Sequence, residues 1–106
     1  MNNLADVVRS IRRRPQMFFG DQKISTLFHF LNGYRFAVSI HQCEKAETVT
    51  KNFTELHFFT ARRLGVKANG LSWATLLTNH CDGDEGKAME LFFEISEEFI
   101  IAQTQP

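Results

Sequence analysis

The stretch from Ile24 to Cys43, ISTLFHFLNGYRFAVSIHQC, constrains the fold more than any other part of the chain. At helical spacing Leu27, Phe28, Leu31, Tyr34 and Val38 fall on one face, and Phe30, Ala37 and Ile40 widen the apolar arc beyond an ordinary amphipathic stripe. A helix that is apolar over most of its circumference needs neighbours on several sides, which predicts a place in the middle of the molecule. Ser25 or Thr26 is suited to cap its start by accepting a free backbone N–H. Gly33 inside it costs up to about 1 kcal/mol relative to Ala. The expected reason is close approach of another helix at that point.

The flanking segments predict further helices. Leu4, Val7, Val8 and Ile11 repeat at i, i+3, i+4 and i+7, with Asn3 and Asp6 at a capped start. Pro15 disfavours helical geometry at Arg14, so this helix ends near there. Gln16 to Lys23 reads as a connector, with Met17, Phe18 and Phe19 folded back on the core and a turn at Gly20-Asp21. Glu44 to Val49 is polar and reads as a surface loop. Thr48 or Thr50 then caps a third helix to about Leu64, with Phe53, Leu56 and Leu64 on one face and Gly65 as its left-handed stop. Val66 to Gly70 is a loop. Ser72 opens a short helix that buries Trp73, Leu76 and Leu77. Asp82-Gly83-Asp84 is turn chemistry, and Asp84 caps a last helix. There Ala88, Met89, Leu91, Phe92, Phe93, Ile95, Phe99 and Ile100 form a wide apolar arc. Strand alternation and internal repeats are absent. The expectation is one compact all-α domain spanning residues 1–106, a bundle of about five to six helices, with Ile24–Cys43 and Lys87–Ala102 most buried.

A chain of 106 residues supports one core, and eleven Phe against a single Tyr and a single Trp supply its area without polar handles. Apolar runs are too short for a membrane span. The N-terminal stretch carries its charges after its apolar residues and lacks a small-residue cleavage site, which predicts a cytoplasmic protein. Cys43 and Cys81 are too few for a disulfide framework. Both read as partly buried, unreactive thiols. His41/Cys43 and His80/Cys81 have the wrong spacing for zinc, and in DGDEG the glycine that a calcium loop requires is replaced by Lys87, so neither metal nor cofactor is expected.

Net charge is zero, yet the ends differ. Residues 1–81 hold eleven Lys or Arg against five Asp or Glu, a surplus of +6, and residues 82–106 hold one Lys against seven acids, −6. A split of this kind concerns partners, or how segments face each other. Arg9, Arg12, Arg13 and Arg14, with Arg62, Arg63 and Lys67, form a basic cluster suited to phosphates. It lacks interleaved aromatic residues for base stacking, so a solvated or internally neutralised face is the expectation. Glu90, Glu94, Glu97 and Glu98 fall within about 100° of helix circumference, and Asp82, Asp84 and Glu85 extend the field upstream. These seven acids are the candidate partner-binding residues, since such a field steers a basic partner to the surface.

One spacing resembles a catalytic pattern. Arg35 and His41 form R-x5-H, similar to the R-x4-6-H motif of the all-helical HEPN ribonucleases, where the Arg and His act together on the scissile phosphate, often across a dimer interface. Phe36 stands where that family has a polar residue, and the two side chains are about 240° apart around the helix. A second resemblance spans most of the chain. RRPQMFFGDQKISTLFHFLNGYRFA resembles the opening of a set of small bacterial proteins with I-[KR]-x-R-P-x-M-[YF]-[LI]-G followed by L-x-x-[FY]-L-x-G-Y, departing at Phe19. Phe53, RRLGVK, GLSWATLL and AMELFFEISEEF continue the similarity. Some such proteins resemble immunity proteins encoded beside polymorphic or contact-dependent inhibition toxins, which are often ribonucleases. The resemblance implies a non-enzymatic, cytoplasmic antitoxin, a monomer or weak dimer, whose partner is a basic toxin nuclease. It implies no catalytic residue and no direct contact with nucleic acid or membrane. The alternatives are a HEPN-like ribonuclease using Arg35 and His41, or a basic nucleic-acid-binding module.

Overall fold

Leu4, Val7, Val8 and Ile11 are buried on one face of helix α1 (Leu4–Arg13), as their spacing predicts. The structure, a computed structural model, describes residues 4–14, 20–41 and 46–104. After α1 come α2 (Ile24–Ile40), α3 (Ala46–Leu64), α4 (Trp73–His80) and α5 (Glu85–Thr104), with no strand among the described residues. The architecture is the all-α bundle expected from the patterns. Asn3, Pro15, Met17, Phe18, Phe19 and Cys43, which carried several expectations, lie outside the described residues.

Helix α5 packs against each of the other four, as α3 also does, and brings the largest set of buried apolar side chains to the centre of the bundle. Ala88, Met89, Phe92, Phe93, Ile95, Phe99 and Ile100 are all buried. Complete burial of a large apolar side chain contributes about 1.5–3 kcal/mol, so this helix supplies much of the driving force for folding. Phe92 is fully enclosed, and its ring stacks on Trp73 at a centroid distance of 4.6 Å. Among the described residues, the two buried hydroxyls bond within their own helices: Thr60 Oγ1 donates to Leu56 O and Ser96 Oγ to Phe93 O.

Helix α2 departs from expectation in three ways. Only Ile24, Leu27 and Leu31 are buried, while Phe36 and Ile40 are 66% and 58% exposed. Helix α2 runs about 26 Å, and α4, which meets it through a Trp73–Phe28 edge contact near its start, only about 12 Å, so α4 does not reach Phe36 or Ile40. The second half of α2 therefore keeps an apolar surface in solvent. Gly33 is exposed, and a Cβ there would meet nothing within 4 Å, so it marks no close helix approach within the molecule. Finally, neither Ser25 nor Thr26 caps the helix, which starts at Ile24. Ser25 N–H instead donates to Glu85 Oε1 at 3.0 Å, and Asp21 accepts from Lys23 N–H and Thr26 Oγ1. A carboxylate from α5 thus takes over part of the capping role and ties the two helices together.

Helix α3 begins at Ala46, so Thr48 and Thr50 lie inside it and residues 46–49 of the predicted loop are helical. The reason is Val49, which joins Phe53, Leu56 and Thr60 on one buried face and draws an extra turn into the core. Local signals at the end of α3 and the starts of α4 and α5 hold. Gly65 has φ +72°, with Gly65 N–H donating to Arg62 O and Val66 N–H to Ala61 O, the paired bonds of a Schellman stop. Ser72 Oγ accepts from Thr75 N–H, and Asp84 Oδ1 accepts from Lys87 N–H.

Candidate functional site

The acidic residues singled out in the sequence divide into two sets. Four of them serve the fold. Arg9 donates to both oxygens of Glu97, from Nη2 at 2.8 Å and Nε at 3.2 Å, and Arg63 Nε donates to both oxygens of Glu98 at 3.1 and 3.2 Å. These pairs join α1 and α3 to α5. Asp84 caps α5 and Glu85 holds the start of α2. The Arg9 hydrogen bond keeps the Glu97 carboxyl below its usual range, and bonds from the Ser25 hydroxyl and backbone do the same for Glu85. The other three, Asp82, Glu90 and Glu94, are exposed, and no described cation pairs with them. Glu90 and Glu94 stand one turn apart, on the stretch of α5 that precedes the paired Glu97 and Glu98.

The basic cluster is correspondingly depleted. Arg9 and Arg63 are engaged by α5, and Arg12 adds a Coulombic pull on Glu97. Two of the cations that would have gripped phosphate thus neutralise the acidic helix instead.

Arg35 and His41 are not brought to one site. Arg35 lies with its guanidinium 5.6 Å from the centre of the Phe53 ring, a cation–π geometry. His41 is exposed at the C-terminal end of α2 and does not line the concavity that Arg35 borders. Cys81 is a half-buried free thiol, and burial pushes its pKa up, with Asp84 adding to the effect. A raised pKa leaves less thiolate, the form that acts as a nucleophile. Among the described residues, no three His, Cys, Asp or Glu side chains gather to hold a metal ion, and no helix is long and apolar enough to cross a membrane.

The concavity beside Arg35 holds about 440 Å³ and lies between α2, α3 and the start of α4. Phe28, Phe53 and Trp73 supply aromatic walls, and Arg35, His57 and Asn32 supply polar groups. Gly70, at φ +77°, turns the chain so that Leu71 enters the rim. Sequence patterns concealed this groove because its walls read as core. The one local signal was Phe58, which sits about 140° around α3 from Phe53 and is 53% exposed. The groove and the acidic face are on opposite flanks of α3: Arg63, which meets α5, is nine residues and about 180° from Thr54, which lines the groove. Comparisons of the chain with protein-family models, with curated proteins and with solved structures find no match.

Proposed function

We propose that the protein is a non-enzymatic binding protein of the immunity type, which neutralises a basic partner by covering its cationic surface with the acidic face of α5. A toxin nuclease is the partner that the sequence resemblance implies. The observation that carries this reading is the pair Glu90 and Glu94, exposed and without a described cation, with Asp82 upstream. Arg9 and Arg63 fasten the Glu97–Glu98 end of the helix to the bundle. The free carboxylates therefore ride on a rigid scaffold. Like charges one turn apart cost a few tenths of a kcal/mol, a cost that a basic partner removes on binding. A nuclease must present cations to hold its substrate, so ordered carboxylates compete for the places of phosphates. The unpaired acids set the encounter rate, and any that becomes fully desolvated against a partner Arg or Lys contributes about 2–5 kcal/mol.

The test is protection against the toxin encoded beside the gene, with purified protein titrated into its nuclease assay. Glu90→Lys with Glu94→Lys keeps the helical spectrum and the melting temperature, because neither residue has a structural partner, and loses inhibition. A folded double variant that still inhibits removes the acidic face from the mechanism. Ribonuclease activity of the purified protein alone, abolished by His41→Ala, replaces the binding reading with the Arg35/His41 ribonuclease. Salt-sensitive RNA binding lost on charge reversal at Arg12 and Arg13 replaces it with a nucleic-acid-binding module.

A further inference from the structure

We infer that the groove between α2, α3 and the start of α4 is a second docking surface, which takes a protein segment carrying a bulky apolar side chain beside an Asp or Glu. The inference is independent of the toxin reading, since it concerns the opposite flank of α3 and a partner of opposite charge.

Three observations define the occupant. First, the floor is aromatic: half-buried Phe28 and the edges of Phe53 and Trp73, 3% and 5% exposed, border a concavity of about 440 Å³, within the size range of ligand sites. An apolar floor of this kind accepts a leucine-sized or aromatic side chain. Secondly, among the described residues that line the groove, none carries a carboxylate and the only full charge is Arg35. Its guanidinium lies over the Phe53 ring with no described carboxylate beside it, so two faces of its charge are unequally served: the ring takes one side and the N–H groups remain to donate. A carboxylate entering next to the apolar anchor meets those donors in the bidentate geometry that guanidinium favours. Thirdly, Phe58 and Leu71 are 53% and 40% exposed at the rim, and Phe36 continues the apolar surface along α2. An exposed apolar rim of this kind beside a guanidinium suits a protein segment that lays an apolar anchor and an acid along α2 and α3. A nucleic acid is disfavoured because a single cation gives little grip on a phosphate chain.

The chain's single Trp lines this groove, so its emission reports occupancy directly. A display library of short random peptides is selected on the full-length protein, and synthetic copies of the enriched peptides are titrated while Trp73 emission is followed. The enriched sequences share an aromatic residue or leucine within a turn of an acid, and their binding shifts Trp73 emission. Arg35→Gln in the protein, or Asp→Asn and Glu→Gln in the peptide, each weakens binding roughly tenfold. The two changes together cost little more than either alone, the signature of a direct pair. Leu71→Asp removes binding, and Glu90→Lys with Glu94→Lys leaves it unchanged. Arg35 and Leu71 are exposed, so both variants keep the wild-type melting curve; should Leu71→Asp fail to fold, Arg35→Gln decides the matter. Failure of any peptide to enrich overturns the inference, as does enrichment of peptides whose affinity ignores Arg35→Gln. A wild-type dimer in sedimentation that Leu71→Asp splits into monomers assigns the groove to a second copy of the chain instead.

Discussion

Phe92 and Phe36 are chemically identical and stand at opposite extremes of this structure, so truncating each to alanine isolates what burial contributes. Phe92 has no exposure, stacks on Trp73 at 4.6 Å and meets Phe93 edge-on at 5.8 Å. Removing a buried Phe side chain costs about 3–5 kcal/mol through lost transfer energy and the cavity left behind. Two aromatic contacts, worth roughly 0.5–1.5 kcal/mol each beyond burial, place Phe92→Ala toward the upper part of that range, near 4 kcal/mol. Small domains hold only about 5–15 kcal/mol in total, so the variant loses a quarter or more of its stability and melts roughly 15–30 °C lower. Phe36, 66% exposed, changes stability by less than about 0.5 kcal/mol on the same truncation. Urea denaturation followed by helical dichroism and by Trp73 emission measures both, provided that the two probes give coincident transitions. A Phe92→Ala cost under about 1.5 kcal/mol, or a Phe36→Ala cost that equals it, would falsify the assignment of α5 as the centre and the outer face of α2 as solvent.

Gly33→Ala raises stability by up to about 1 kcal/mol, because the site is helical, exposed and open around a Cβ; a loss in the same urea assay shows a hidden contact at that face. Ser72→Ala lowers stability by about 1 kcal/mol through loss of the cap on Thr75 N–H, while Ser72→Asp retains most of it. Glu97 has its folded pKa below the unfolded value, so its contribution is present above the unfolded pKa of about 4.3 and fades as pH falls through the folded one. The stability gap between wild type and Glu97→Gln is accordingly constant near neutrality and closes in acid; a gap that widens as pH falls contradicts the Arg9–Glu97 pairing.

What could be read from the sequence was whatever is settled within a few residues. The α1 stripe, the Ser72 and Asp84 caps and the Gly65 stop depend on neighbours no more than five positions away, and all appear as the spacing predicts. The angular clustering of Glu90, Glu94, Glu97 and Glu98 was equally local. Which of them is free was not, because Arg9 is 88 residues from Glu97 and Arg63 is 35 from Glu98. The start of α2 was misread for the same reason: its carboxylate partner, Glu85, comes from another helix. Apolar periodicity in α2 was genuine, yet it says only that a face avoids water. Which part of that face a neighbour covers depends on where α3, α4 and α5 cross α2, and Phe36 and Ile40 lie outside those crossings. The groove was illegible because it is made where three elements meet, from side chains that each pass as core.

The central position of α5 has a consequence for how the chain is made. Synthesis is vectorial, and of the two helices that touch every other helix, α3 and α5, one is the last of the five described to be translated. Until α5 emerges from the ribosome, α1 to α4 have only one another, and the core cluster that holds Leu27, Leu31, Phe53 and Leu77 lacks Ala88, Met89, Phe92, Phe93, Ile95 and Phe99. The core is thus completed only when α5 is available. A ribosome that stalls within the α4–α5 turn leaves a chain with its apolar faces open, a natural client for holdase chaperones and proteases.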